Sequence, residues 1–181
     1  MTRHRLFNRS ALSLVFCTFV WLLFSGCGGD SSDERFGKIG TTGRIVTIDE
    51  VLSSQFKSLK QYDIADLPGA SAAIYGFMKR GSEAFDYEVR IYASHELAIE
   101  LGTAFAEEGA GSDAALTEDD AVFKEGVMDR RLAYGADRGA AGPKYGEYVI
   151  YENLIVMCQG ANADQGMERC EFFVSELGPA E

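Results

Sequence analysis

Residues 146–158 read GEYVIYENLIVMC. Aromatic and β-branched residues on both sides of Glu152-Asn153 predict a hairpin, with strands over 146–151 and 154–158. A two-residue turn sets the register: Tyr151 faces Leu154, Val149 faces Val156 and Glu147 faces Cys158. Tyr148, Ile150, Ile155 and Met157 then share the opposite side. Both faces are apolar, so each needs a cover. One can lie against a helix carrying Cys170; the other requires a second helix, a ligand or another protein. If the cover comes from outside, Tyr148, Ile150, Ile155 and Met157, joined by Tyr75 and Phe77, form a ligand or partner surface for an apolar solute or an envelope protein.

A second hairpin lies upstream. Residues 71–79 (SAAIYGFMK) and 85–92 (FDYEVRIY) read as strands, with Gly81 in the turn between them. In the second, Phe85, Tyr87, Val89 and Ile91 alternate with Asp86, Glu88 and Arg90, the pattern of a strand with one solvated face. Four helices are expected. Thr47 and Glu50 form a capping box for a helix over 48–61, with Ile48, Leu52, Phe56 and Leu59 on one side. Ser94 caps a second, with Leu97, Leu101, Ala104 and Phe105 as its stripe. Thr117 opens a third to about residue 131, with Phe123 and Val127 inward. Asn162 or Asp164 opens the last, to Leu177, placing Met167, Cys170, Val174 and Leu177 together before Gly178-Pro179. Residues 108–117 and 135–144 read as loops. The expected fold is α+β: a single domain with a four-stranded antiparallel sheet of two hairpins packed against helices, the order hinting at a repeated α-β-β-α unit.

The chain has 181 residues, 17 Lys and Arg against 28 Asp and Glu, a net charge of -11, and 46% hydrophobic residues. That apolar content excludes wholesale disorder, and the acidic balance argues against binding a nucleic-acid backbone. The charge is unevenly placed. Arg3, Arg5 and Arg9 precede an apolar run over 11–24, ALSLVFCTFVWLLF, with no acid among them. A basic start and a short apolar core have the dimensions of a secretory signal. At 1.5 Å per residue the run rises only about 21 Å, short of a membrane core of about 30 Å.

Leu23-Phe24-Ser25-Gly26-Cys27 follows, and it resembles the lipobox of bacterial lipoproteins. Ser25 and Gly26 are the small residues before the lipidated cysteine; Phe24 stands where the family usually carries an aliphatic side chain. The resemblance implies cleavage before Cys27, acylation at its sulfur and amine, and attachment to a cell membrane or outer membrane with the domain on the periplasmic or extracellular side. Gly28, in place of Asp, points to the outer membrane. Acyl chains at one residue are enough for stable anchoring. Loss of residues 1–26 removes three arginines and leaves 14 basic residues against 28 acidic ones. Residues 27–43, rich in Gly and Ser/Thr, read as the lipidated cysteine and a flexible tether, and 44–181 as the domain.

Two cysteines remain, Cys158 and Cys170, an even pair suited to a disulfide in an oxidising compartment; unpaired core cysteines are the alternative. Neither a metal nor a cofactor is expected. One histidine, His95, follows the signal, and there is no P-loop, H-E-x-x-H or dinucleotide motif. The acids between Glu107 and Asp120 fit a solvated face better than Ca²⁺ ligands, since D-x-D-x-D-G spacing is missing. These features point to a non-enzymatic binding or envelope-interaction lipoprotein. The rival is a small extracytoplasmic hydrolase using carboxylates or the Ser94-His95-Glu96 cluster.

Overall fold

The computed structural model describes residues 36–133 and 141–178. The signal-like segment 1–26 and Cys27 lie outside the described residues, as does most of the expected 135–144 loop. Thr47 does cap a helix, α1 (Ile48–Ser53), and the capping box with Glu50 is complete. The helix ends there rather than at residue 61. Ser53 and Ser54 turn their hydroxyls back onto the carbonyls of Glu50 (2.9 Å) and Val51 (2.7 Å), competing with continuation. The chain then runs extended as β2 (Lys57–Gln61). A six-residue helix has little stability of its own, whereas Lys57–Gln61 can extend a sheet edge. The helical spacing was misleading: Leu52 is 43% and Leu59 61% exposed, while Phe56 is buried against Phe173.

The two expected hairpins form, slightly longer than their apolar cores: β3 (Ala70–Arg80) with β4 (Glu83–Tyr92), and β7 (Tyr145–Tyr151) with β8 (Leu154–Gln159). The pairs Tyr151–Leu154, Val149–Val156 and Glu147–Cys158 hold as the turn requires. Strands β4 and β8 join the hairpins antiparallel, with Val89 opposite Val156. The sheet is larger than expected, however. It has six strands in the order β1-β7-β8-β4-β3-β2, and it is mixed, because β1 (Ile39–Gly40) runs parallel to β7. Both edge strands come from segments read otherwise, β2 from the expected helix and β1 from the expected tether. A separate small ribbon pairs β5 (Arg131–Ala133) with β6 (Ala141–Pro143).

The inner face is closed by α4 (Ala163–Glu176), capped by Asn162 as expected. Phe173 and Cys170 of α4 pack with Val89, Val149, Val156 and Tyr87 in one core. Cys158 and Cys170 form a disulfide with Cα atoms 5.5 Å apart. The outer face is divided. Over β7 and β8 lies a helical segment capped by Ser94: α2 (His95–Leu97), a π turn (Ala98–Gly102) and α3 (Thr103–Gly109). Its buried stripe is small-residued, with Ala98, Gly102, Ala106 and Gly109, while Ala104 is exposed. Small residues let the helix lie close to the sheet; a Cβ at Gly109 would come within 2.7 Å of Met157 Sδ. Among the described residues no helix is long and apolar enough to cross a membrane.

Over β3 and β4 the cover is irregular. The helix expected from Thr117 to 131 does not form; residues 111–130 make successive turns. Phe123 and Val127 are nonetheless buried. The amides of Val122 and Phe123, which a helix would bond internally, go instead to the carboxylate of Glu108 at 2.7 and 3.2 Å.

The β7–β8 turn gathers the N-terminal strand and β4. Glu152 adopts φ 52°, a left-handed conformation uncommon for a side-chain-bearing residue. Its carboxylate accepts from Thr41 Oγ1 (2.7 Å), Thr42 N (2.9 Å) and Thr42 Oγ1 (2.7 Å). Burial pushes this carboxyl up, but the hydrogen bonds from Thr42 and Thr41 outweigh it and hold the group below the ordinary value. Asn153 is wholly enclosed: its Oδ1 accepts from Val46 N (2.7 Å), and its Nδ2 donates to the carbonyls of Val46 (3.0 Å) and Tyr92 (2.7 Å). Asn153→Ala therefore strands buried backbone groups on two segments, and we expect a loss of about 1–3 kcal/mol in urea denaturation. Asn153→Asp, which cannot donate, falls in the same range.

A covered polar seam as candidate functional site

Asp86, Glu88 and Arg90 share the outer face of β4, as their alternation requires, but only Asp86 reaches solvent. Glu88 and Arg90 are completely buried, and the solvated face expected for this strand does not exist there. The reason is topological: β4 sits between β3 and β8, and residues 111–130 close over it. The burial is made tolerable by pairing. Arg90 Nε donates to Glu88 Oε1 at 2.8 Å. Arg130, at the end of the covering loop, is equally buried; its Nη1 donates to Glu108 Oε1 at 3.0 Å, and its Nε lies 3.9 Å from Glu88 Oε2. The Phe123 ring packs against both guanidiniums, 5.2 Å from Arg90 and 5.5 Å from Arg130, and edge-on to Tyr62. Gly126 backs onto the pair: a Cβ there would stand 3.0 Å from Glu88 Oε2 and 3.2 Å from Arg130 Nη2.

The seam opens at its other end. Lys144 Nζ donates to Asp86 Oδ2 (2.8 Å) and to Tyr75 Oη (2.9 Å), while Tyr75 Oη donates to the same Asp86 oxygen (2.7 Å). Burial pulls the Lys144 ammonium down, but its bonds to Asp86 and Tyr75 outweigh that, so it stays charged. Burial raises Tyr75, Tyr62 and Tyr145, and the Glu88 charge pushes the last two further up. Every tyrosine here remains protonated at neutral pH, which makes the seam rich in hydrogen-bond donors and poor in bases.

The residues singled out by sequence fall in several places. Tyr148, Ile150, Ile155 and Met157 lie together as expected, but under the chain's own helix with Ala98 and Ala106. They form core, not an open ligand or partner surface, because Ser94–Gly109 supplies the cover the hairpin needed. Tyr75 belongs to the seam. Phe77 is apart from it, in a groove of about 530 Å³ with Ser54, Lys57, Lys79 and Glu176. The Ser94 hydroxyl accepts from Leu97 N, and His95 Nδ1 contacts the Glu152 carbonyl at 2.6 Å, so both side chains fasten the helix start and the turn. Among the described residues no group of three His, Cys, Asp or Glu side chains could hold a metal ion.

A family model described as a family of unknown function (DUF6810) matches residues 47–179. The chain belongs to that family. The DUF6810 match takes in α1 through α4, and with them the seam, the Glu152-Asn153 turn and the disulfide; Cys27 lies upstream of it. No curated protein and no solved structure matches the chain.

Sequence reasoning missed Glu88, Arg90 and Arg130 as a unit. One signal was present: an acid and a base two positions apart on the same side of a strand with apolar neighbours. Nothing near Arg130 or Lys144 in the sequence marks them as partners of that strand.

Proposed function

We propose that this chain is an extracytoplasmic lipoprotein, anchored through acyl chains on Cys27, whose DUF6810 domain serves as a non-enzymatic binding or envelope-interaction module. The observation that carries the reading is Cys27 in its setting, after Ser25-Gly26 and an apolar run too short to span a bilayer. The Cys158–Cys170 disulfide supports it, since such bonds persist in oxidising compartments. So does the spacing. Phe36 already packs on the core, and the nine residue steps from Cys27 to it span at most about 30 Å.

Intact mass spectrometry of the full chain from a bacterial membrane fraction tests the anchor. The expected species begins at Cys27 and carries the added mass of a diacylglycerol and one N-linked acyl chain. Cys27→Ser loses that addition completely. A chain retaining residues 1–26, or one cut elsewhere and unacylated, would overturn the reading.

A further inference from the structure

Among the described residues Glu88 and Arg90 are the buried charges that lie within a strand, and they sit where the cover is a loop instead of a helix. That loop has its ends together. Gly111 N donates to the Tyr145 carbonyl (2.9 Å), and the Arg130 carbonyl accepts from Lys144 N (2.7 Å), on adjacent residues of the chain. A long segment without regular structure, rooted at one point, has the form of an Ω-loop, a shape often found in lids and binding loops. Between its roots it is fastened by Glu108 to Val122, Phe123 and Arg130, by Asp129 to Tyr62 (2.9 Å), and by the Phe123 ring.

Beneath it, hydrogen-bond donors outnumber acceptors. Arg90 Nη1 and Arg130 Nε and Nη2 have no partner among the described residues, nor have the hydroxyls of Tyr145 and of Tyr92, the latter at the border with the helical cover; the acceptors left over are Glu88 Oε2 and those two hydroxyl oxygens. A guanidinium can only donate, whereas a tyrosine oxygen can also accept; even so, the unpaired donor hydrogens outnumber the three acceptor atoms. The missing partner is rich in acceptors. Arg90 and Arg130 are balanced in charge by Glu88 and Glu108, so what is left over beneath the loop is donors rather than charge. The Nε–Nη2 edge of Arg130, hydrogen-bonded to nothing among the described residues and with Glu88 Oε2 no nearer than 3.9 Å to Nε, is a fork that takes a carboxylate through two parallel hydrogen bonds. In the closed arrangement that edge is occupied by the approach of Gly126, so a ligand needs the loop to lift.

We propose that residues 111–130 are a lid over a binding site for a small carboxylate, gripped by Arg130 and Arg90 with the Tyr145 hydroxyl. The lid swings about Gly111 and Arg130, and Phe123 plugs the site when it is empty. The proposal rests on the binding-module reading and is independent of the anchor: acylation without carboxylate binding would sink this proposal alone, and binding without acylation the anchor alone.

Amide hydrogen exchange on the full chain in detergent tests it, with sodium acetate as probe and sodium chloride at equal ionic strength as control. Without acetate, the Val122 and Phe123 amides exchange faster than those of β4, through opening of the lid alone. Acetate, which binds only with the loop lifted and Phe123 out of the site, speeds their exchange at least tenfold, with saturation, and chloride does not. Tyr145→Phe keeps the ring in the core and weakens the apparent acetate affinity about tenfold. Exchange of lid and β4 amides at one common rate, equal responses to the two salts, or unchanged affinity in Tyr145→Phe would each overturn the proposal.

Discussion

Glu88→Ala lowers the unfolding free energy by about 3–5 kcal/mol, the expected range for removing one partner of a buried ion pair. Glu88 is fully enclosed; it is paired with the enclosed Arg90 guanidinium and lies 3.9 Å from that of Arg130, which Glu108 holds at 3.0 Å. Alanine takes away the 2.8 Å bond to Arg90 Nε and leaves Arg90, among the described residues, with a long contact to Met157 Sδ and the face of Phe123. Neither arginine can escape by losing its proton. Arg130 keeps Glu108, so the damage centres on Arg90 and on the Phe123 plug above it. Against a usual domain stability of 5–15 kcal/mol this places the variant near the edge of folding. Removing both partners behaves differently. Glu88→Met with Arg90→Met replaces the pair by apolar volume beside Met157 and Ile155, and buried pairs exchanged in this way are commonly neutral or stabilising. Urea denaturation of the single and double variants measures the difference. A Glu88→Ala loss below about 1 kcal/mol would mean that Arg90 reaches another acceptor or solvent, and that the seam is not sealed.

The hairpin register was legible because side-chain alternation and a two-residue turn leave one solution. The caps at Thr47, Ser94 and Asn162 were legible for a similar reason, since each depends on a short local pattern, and the disulfide because two cysteines were left to pair. What was lost depended on neighbours distant in sequence. Residues 57–61 have an exposed leucine between lysines and little pattern of their own; they become a strand because β3 offers an edge. Residues 39 and 40 pair with β7 because Glu152 holds Thr41 and Thr42 beside it. The helix over β7 and β8 was placed correctly but turned wrongly. Its buried stripe is alanine and glycine, and a reading that looks for large apolar residues selects Leu97, Leu101 and Phe105 at the margins instead. The polar seam was the hardest feature to find, because alternation says which side of β4 Glu88 and Arg90 take but not what lies on that side.

Loss of the Cys158–Cys170 bond is the second large effect, roughly 3 kcal/mol. The two residues are 12 apart in the chain, and closing a loop of that size in the unfolded state removes entropy worth about that amount. The structural setting argues against a smaller value. Both residues are fully buried, and the bond joins β8, in the middle of the sheet, to the centre of α4. Helix α4 otherwise holds to the sheet through Phe173 and its half-buried neighbours Met167, Val174 and Leu177. Breaking the cross-link therefore loosens the main cover of the inner core, so the Cys158→Ala, Cys170→Ala double variant adds a packing loss to the entropic one. For a domain of this size, 3 kcal/mol corresponds to a fall in Tm of about 6–12 °C. Because the sulfurs are enclosed, reductant reaches them only when α4 opens, so the native protein resists dithiothreitol for far longer than the urea-unfolded one. Thermal unfolding of oxidised, reduced and double-alanine protein checks the magnitude, and the time course of thiol release checks the burial. A Tm unchanged within 1 °C on full reduction would show that α4 holds to the sheet without its cross-link, and would weaken the case that the chain matures in an oxidising compartment.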